Sequence, residues 1–338
     1  MPSKSHLRHG PMSNRLSPPT DGAANTHSPH PNRRGWRTPA LLLAAVAVCG
    51  TLAFASKALH HNNKAVENLI ALPEDKIDIG FAALTLAKDI YPDLDIPVYS
   101  AKIDTLAERV RTYVGDSTDT RRRIGALNQV IYTEDGYGYD SSAVRQGSNT
   151  PDYLNHLLDT KVGNCTSLPT LYMAVAERLG YPIYPVSAPA HSFLRYVEPD
   201  GSYLNMEPTN RAVLHPDEMY VKDFAIGETG LASGAYMKTM TRREFMGVLM
   251  ANLGLDHLKQ GHDERALYFL NKAVAMNPAC ADCYADLATY HANMSALAKG
   301  KEALDHYQKA EVYQTKARGM GFVDLFKTPA GEKLWKNL

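Results

Sequence analysis

Between residues 73 and 160 apolar positions recur at intervals of three and four. Ile79, Ala82, Ala83, Leu86 and Ile90 form one stripe, and Ile103, Leu106, Val110 and Val114 form another. That spacing turns one face of an α-helix toward a core. Asp116 to Thr120 supply capping side chains, which predicts a further helix reaching about Tyr132. The Gly-punctuated run Glu134 to Asp140 reads as a loop, and a short helix is expected from about Pro151 to Asp159. Leu168, Leu171, Tyr172, Val175 and Leu179 then mark the buried face of a helix opening beside Gly163-Asn-Cys165. After Gly180 the period shortens to that of a strand. Ile183 to Val186, His191 to Val197 and Tyr203 to Thr209 follow it, with a turn at Pro199-Asp-Gly-Ser202. The expected class is therefore α+β, with a helix packed on a small antiparallel sheet.

From about residue 247 a third pattern begins. Leu253-Gly254, Ala266, Leu270, Ala273 and Pro278 have offsets repeated by Leu287-Ala288, Ala303, Tyr307 and Ala310, with three extra residues between the two helices. Small residues let paired helices approach closely, and large ones fill the groove between them. The pattern resembles the tetratricopeptide repeat, so residues 245–318 are expected to form two repeats and 319–338 a capping tail. Two repeats are fewer than the ~3 that usually stand alone. They are expected to dock on the preceding domain or to hold a protein partner in their groove.

Composition narrows the classes. The chain has 338 residues, 44% of them hydrophobic and 21% charged, with 36 basic and 36 acidic side chains. That suits two folded domains plus appendages. Residues 1–38 carry six basic side chains against Asp21 alone and show no apolar periodicity, which reads as a disordered basic arm. The folded remainder is mildly acidic and its longest basic run is Arg121-Arg-Arg123, so no nucleic-acid partner is expected. Residues 39–55 are uncharged and rich in Ala, Leu and Val, and Ala53-Phe-Ala55 fits a small-x-small cleavage site. Segment 39–56 is therefore expected to be a signal peptide or a single transmembrane anchor. The basic block before it predicts an inner-membrane, single-pass protein with its folded part in the periplasm, or export after cleavage. Cys280-Ala-Asp-Cys283 is open to three readings, a disulfide, half a metal site or two buried small residues; no complete metal site is read.

Cys165 lies where chemistry is most legible. A thiol at a helix N-terminus meets unpaired N–H groups and the positive end of the helix dipole, which favour the nucleophilic thiolate. His191 opens one strand and Glu207 lies on the next, so one sheet can set imidazole beside carboxylate. Cys165 as nucleophile, His191 as base and acid, and Glu207 as its orienting partner meet the needs of thiol acyl transfer. The backbone N–H of Cys165 is the expected first oxyanion donor, with Asn164 or Gln146 as candidates for a second. Arg195 is a candidate for holding a substrate carboxylate, a salt bridge to Glu198 being its structural alternative.

The run Tyr153 to Gly180, with Ala188-Pro-Ala-His-Ser-Phe-Leu-Arg195 and Asn205-Met-Glu-Pro-Thr209, resembles the bacterial transglutaminase-like superfamily, a branch of the papain-like cysteine fold. The resemblance spans roughly residues 70–230, within a domain expected at 70–235, and implies that fold and a Cys-His-acid triad. Glu207 stands where the family carries Asp, one methylene shorter. The absence of a Gly-rich phosphate loop, HExxH or GxSxG leaves thiol chemistry as the enzymatic signal, with no cofactor expected. The leading expectation is a cysteine hydrolase of peptide or amide bonds in a peptide or protein substrate. The alternatives are a catalytically silent envelope scaffold and an amine-acceptor transglutaminase.

Overall fold

Each of the first three labelled helices begins where an aspartate can cap it. Asp78 accepts from Phe81 N at 2.8 Å to start α1 (Ile79–Ala87). Asp95 does the same through Val98 N for α2 (Ile96–Val114), and Asp119 through Arg122 N for α3 (Thr120–Asn128). Such caps satisfy backbone donors that have no intrahelical partner. Both predicted apolar stripes lie in the core: Ile79, Ala82, Ala83 and Leu86 on α1, and Ile103, Leu106, Val110 and Val114 on α2, are buried, and Ile90 packs against them. Residues 63–70 are also helical and send Val66 and Leu69 into the same core. A π-helical turn, Gln129–Glu134, carries the chain beyond α3. The computed structural model describes residues 63–139 and 152–328, which belong to one compact unit.

The predicted loop at 134–140 contains a strand. β1 (Gly138–Tyr139) pairs in parallel with β2 (Val162–Gly163), which follows α4 (Leu154–Thr160). A two-residue strand with a distant partner leaves no period to detect. Gly163 is needed there, because a Cβ would meet Ser167 Oγ at 2.5 Å and Leu157 Cδ1 at 2.9 Å. That close approach delivers the chain to α5 (Ser167–Arg178), whose first ten residues are buried.

β3 (Ile183–Ala188), β4 (His191–Val197), β5 (Tyr203–Glu207) and β6 (Val213–His215) form an antiparallel meander in chain order. Alternation gives the sheet two faces. Leu194, Tyr196 and Met206 join the main core with α5, whereas Val186 and Phe193 face a second cluster. That second cluster draws Tyr220 from α6 (Asp217–Asp223), Tyr236 from the turn after α7 (Glu228–Ala232), and Phe224 and Leu325. The described part of the expected capping tail thus closes partly on the sheet's cluster, through Leu325; residues 329–338 lie outside the described residues.

Helices α8 (Arg242–Lys259), α9 (Asp263–Met276), α10 (Ala281–Leu297) and α11 (Gly300–Gly319) complete the chain. Phe245, Met246, Leu249, Met250, Leu253 and Phe269 share the main core with α1 and α5, so the helical region is packed onto the rest. Gly254 permits the α8–α9 contact, since a Cβ would lie 2.8 Å from Leu270 Cγ and 3.2 Å from Ala266 O. Of the positions in the expected repeat pattern, Leu253, Gly254, Ala266, Leu270, Ala273, Leu287, Ala288 and Ala310 are buried, whereas Pro278 is exposed and Ala303 half-buried. Tyr307, also in the pattern, is 56% exposed, and the neighbouring Leu304 is exposed as well. Cys280 and Cys283 form a disulfide across the first turn of α10, which selects one of the three readings of that pair.

The single-pass inner-membrane placement requires correction. Among the described residues no helix is long and apolar enough to cross a membrane. The 19 residues of α2 and the 20 of α11 have the length, but Lys102, Asp104, Glu108, Arg109 and Arg111 charge the first, and Lys301, Glu302, Asp305 and Lys309 the second. The arm 1–38 and the segment 39–56 lie outside the described residues.

Candidate active site

Three local structures meet at the candidate site. The first is the turn that carries Cys165 into α5. Asn164 organises it: its Oδ1 accepts from Thr166 N at 2.9 Å and Ser167 N at 3.2 Å, and its own N–H donates to Ser167 Oγ at 3.1 Å. Its Nδ2 donates to Asp152. Asn252 of α8 reaches across to Thr166 Oγ1 at 2.9 Å. The Cys165 side chain, free of any disulfide, remains partly exposed beside this turn.

The second is the β3–β4 hairpin, in which Ala188 pairs with His191 and only Pro189 and Ala190 make the connection. Ala190 sits at φ 52°, a left-handed conformation that costs a non-glycine residue about 1 kcal/mol or more. Its carbonyl lies 4.0 Å from Cys165 Sγ, so the strained turn abuts the thiol.

The third is the β4–β5 ladder. Leu194 pairs with Met206, so by extension Glu207 stands across from Phe193 and diagonal to His191 on the same face. Diagonal neighbours are ~7–8 Å apart at the backbone, a span suited to a long side chain. Glu207 Oε2 lies 2.9 Å from His191 Nε2. Its other oxygen, Oε1, accepts from Thr209 N at 3.1 Å and from the Thr209 hydroxyl, and Tyr220 OH donates to Oε2 at 3.3 Å. The imidazole stacks on Phe224 with ring centroids 4.8 Å apart.

Cys165 lies close enough to the ring to add to the upward shift of its pKa. Burial works to lower the His191 pKa, but the Glu207 carboxylate, the hydrogen bonds with Cys165 and Glu207 and the electrostatic pull of Cys165 raise it from 6.5 to about 10. Glu207 shows the converse: burial pushes it up, yet the charge of His191 and the bonds from His191 and Thr209 hold it below the usual carboxylate range. The arrangement favours a charged imidazolium gripped by a carboxylate and facing sulfur. A pocket of about 170 Å³ opens on the Glu207 side of the ring, lined by Tyr139, Thr209, His215, Met219 and Phe224 among others.

The other candidates are placed differently. Asn164 is 5% exposed with its amide committed to Asp152, so its side chain builds the helix start instead of facing the thiol. Arg195, also 5% exposed, donates to Asn205 Oδ1 at 2.8 Å and to Met237 O, Thr239 Oγ1 and Asp217 Oδ1 at 3.2 Å each. It lies 3.8 Å over the Tyr203 ring, and its acidic partner is Asp217, not Glu198. Gln146 lies outside the described residues. Thr209, Tyr220 and Phe224 were not singled out from the sequence, although Thr209 belongs to the Glu-Pro-Thr run and the two rings are spaced i, i+4.

Residues 98–249 match the Transglutaminase-like superfamily. They form a transglutaminase-like domain. This domain contains Cys165, His191 and Glu207. Two UPF0162 proteins from strains of Xylella fastidiosa are 31% and 30% identical over 143 residues, 42% of this chain and 50% of each relative. A UPF0162 protein of Pasteurella multocida is 30% identical over 123 residues, 34% of this chain and 44% of that one. The chain thus spans about half the length of the curated relatives it matches. A solved structure of menin, described as revealing its binding site for the Mixed Lineage Leukemia protein, is similar at 12% identity and TM-score 0.37, covering 83% of this chain and 72% of that one.

Proposed function

We propose that the protein is a cysteine hydrolase of peptide or amide bonds, with Cys165 as nucleophile, His191 as proton carrier and Glu207 as the group that orients and charges the imidazole. The observation that supports this most is the single ring of His191, 2.9 Å from a carboxylate and carried by the turn whose Ala190 carbonyl lies 4.0 Å from Cys165 Sγ. In the proposed cycle Sγ attacks the substrate carbonyl, a carbon–sulfur bond forms, and the carbon–nitrogen bond breaks as His191 gives its proton to the departing amine. Water then attacks the thioester, His191 takes the water's proton, and the carboxylic acid leaves as the carbon–sulfur bond breaks. The Cys165 N–H is the proposed oxyanion donor; Thr166 N and Ser167 N are spent on Asn164. Helices α8–α11 are proposed to be a tetratricopeptide-like module that holds a protein partner beside this site.

A library of peptide amides and esters presented to the wild-type chain and to Cys165→Ala tests the enzyme reading. Hydrolysis lost in the variant, with Cys165 alkylating faster than an unfolded thiol, is the expected result. Equal turnover by both proteins, or slow and pH-insensitive labelling of Cys165, overturns it. A labelled primary amine in the same assay separates hydrolysis from transfer to an amine, because only transfer leaves the label on the acyl group.

A further inference from the structure

We propose that Asp282, on the first turn of α10, is a positioning residue for His191, acting through the N–H of Ala190. This rests on the reading of the site given above and adds a residue from outside the matched domain. Asp282 Oδ1 accepts from Ala190 N at 3.2 Å, across 92 positions of sequence. Ala190 is the residue immediately before His191, it holds the left-handed φ of 52°, and its carbonyl lies 4.0 Å from Cys165 Sγ. One residue is thereby held by the helical region at its N–H, approaches the thiol with its carbonyl and sets the start of the strand that carries the imidazole.

The setting of Asp282 is built to aim it. The Cys280–Cys283 disulfide closes the helical turn around it, and Cys280 Sγ accepts from Cys283 N at 3.0 Å. Ala281 beside it is fully buried in the cluster that also holds Ala188, the last residue of β3. The Tyr236 ring is buried against the same cluster with its hydroxyl beside the carboxylate. Asp286, one turn further along α10, faces the same region. Burial raises Asp282 to about 6, and the hydrogen bond from Ala190 N and the nearby Tyr236 hydroxyl work against that rise. Burial and the neighbouring Asp282 raise Asp286 to about 8. A left-handed alanine has an intrinsic tendency to leave that conformation, and a fixed acceptor for its N–H opposes this. Without that acceptor the hairpin end relaxes and the imidazole loses its registry with the sulfur.

The test is site-resolved alkylation of Cys165 by iodoacetamide from pH 5 to 10 in the full chain, read by mass spectrometry. Asp282→Ala is expected to slow the reaction by at least about tenfold at neutral pH, the scale of loss for a displaced catalytic group, and to change the shape of the pH profile. Asp282→Asn keeps an oxygen acceptor and is expected to stay within about threefold of wild type. Ala190→Gly removes the left-handed penalty, so the loss caused by Asp282→Ala is expected to shrink in that background. A wild-type profile for Asp282→Ala overturns the proposal. So does an Asp282→Asn variant that is folded by circular dichroism yet as slow as Asp282→Ala, because charge and not the hydrogen bond would then be the active feature. His191→Ala separates the two readings: if it leaves Cys165 reactivity unchanged, the catalytic pairing itself fails, whereas if it slows the reaction and Asp282→Ala does not, only the positioning role fails.

Discussion

Two histidines in this molecule each face a carboxylate, and their surroundings give them different work. His191 lies 2.9 Å from Glu207 and is close enough to the partly exposed Cys165 thiol for the thiol to raise its pKa. His257 of α8, 4% exposed, lies 2.6 Å from Asp89, just beyond the end of α1. Arg265 of α9 grips both oxygens of that same carboxylate, through Nε at 2.7 Å and through Nη2. The His257 ring lies parallel to Phe269 at 5.7 Å, and its Nδ1 faces His262 at 3.3 Å. Among the described residues no cysteine or hydroxyl is hydrogen-bonded to its ring. The Asp89 cluster ties the helical region to the N-terminal helices, while the Glu207 pair charges a ring beside sulfur. A buried histidine–carboxylate pair therefore says little about chemistry until its remaining ring nitrogen is followed to its partner.

The comparison breaks most decisively at the thiol. Cys165→Ala is expected to reduce turnover of a responsive amide by on the order of 10³-fold or more, with an unchanged melting temperature; retained turnover would leave both histidines structural. Asp89→Asn should act in the opposite sense. Removing one member of a buried charge cluster costs about 3 kcal/mol or more, read as a lower urea midpoint, with Cys165 alkylation unaltered. Glu207→Gln is expected to slow acylation by about 10²-fold and to bring the His191 titration, followed by NMR, down from about 10 toward its ordinary 6.5. A variant that keeps wild-type kinetics would place Glu207 with Asp89 as a structural acid.

Smaller effects sharpen the contrast. Gly254→Ala adds a Cβ 2.8 Å from Leu270 Cγ and is expected to cost about 1 kcal/mol net of the better helix propensity of alanine, seen in stability and not in Cys165 reactivity. The pH dependence of the Glu207 pair has a definite sign. His191 is raised in the folded state, so its contribution to stability is complete below 6.5 and is lost as the pH rises toward about 10. Glu207 is lowered, so its contribution is present above 4.5 and is lost as the pH falls through its depressed value. The stability difference between wild type and His191→Gln should accordingly be largest near pH 5 to 6 and shrink by pH 10, as measured by urea titration at each pH. A difference that grows with alkaline pH would reverse the assignment.

Much of this was legible along the chain. The stripes on α1, α2 and α5 appear in the core as read, because helix periodicity reports burial of a face directly. The alternation after Gly180 marks β3, β4 and β5, although Pro208 ends the last strand at Glu207 by starting a 3₁₀ turn. Sequence reasoning missed β1, whose partner is β2, and it missed Asp282, whose partner is 92 positions away. It offered Asn164 as an oxyanion donor and Arg195 as a holder of a substrate carboxylate, whereas the orientations of their side chains follow from Asp152, Asp217 and Asn205, which no local pattern connects to them.

What the chain determined by itself was local: which residues form helices, where strands alternate, and that a cysteine, a histidine and a glutamate stand at element starts and ends where side chains can be presented. Only the tertiary structure decided which groups meet. The ladder register aims Glu207 at His191, the Ala190 turn sets that ring against Cys165, and the packing of α10 brings Asp282 beneath the turn. Local patterns follow from the conformational preferences of a few consecutive residues, whereas these meetings depend on how whole elements pack, and a single sequence does not record that sum position by position.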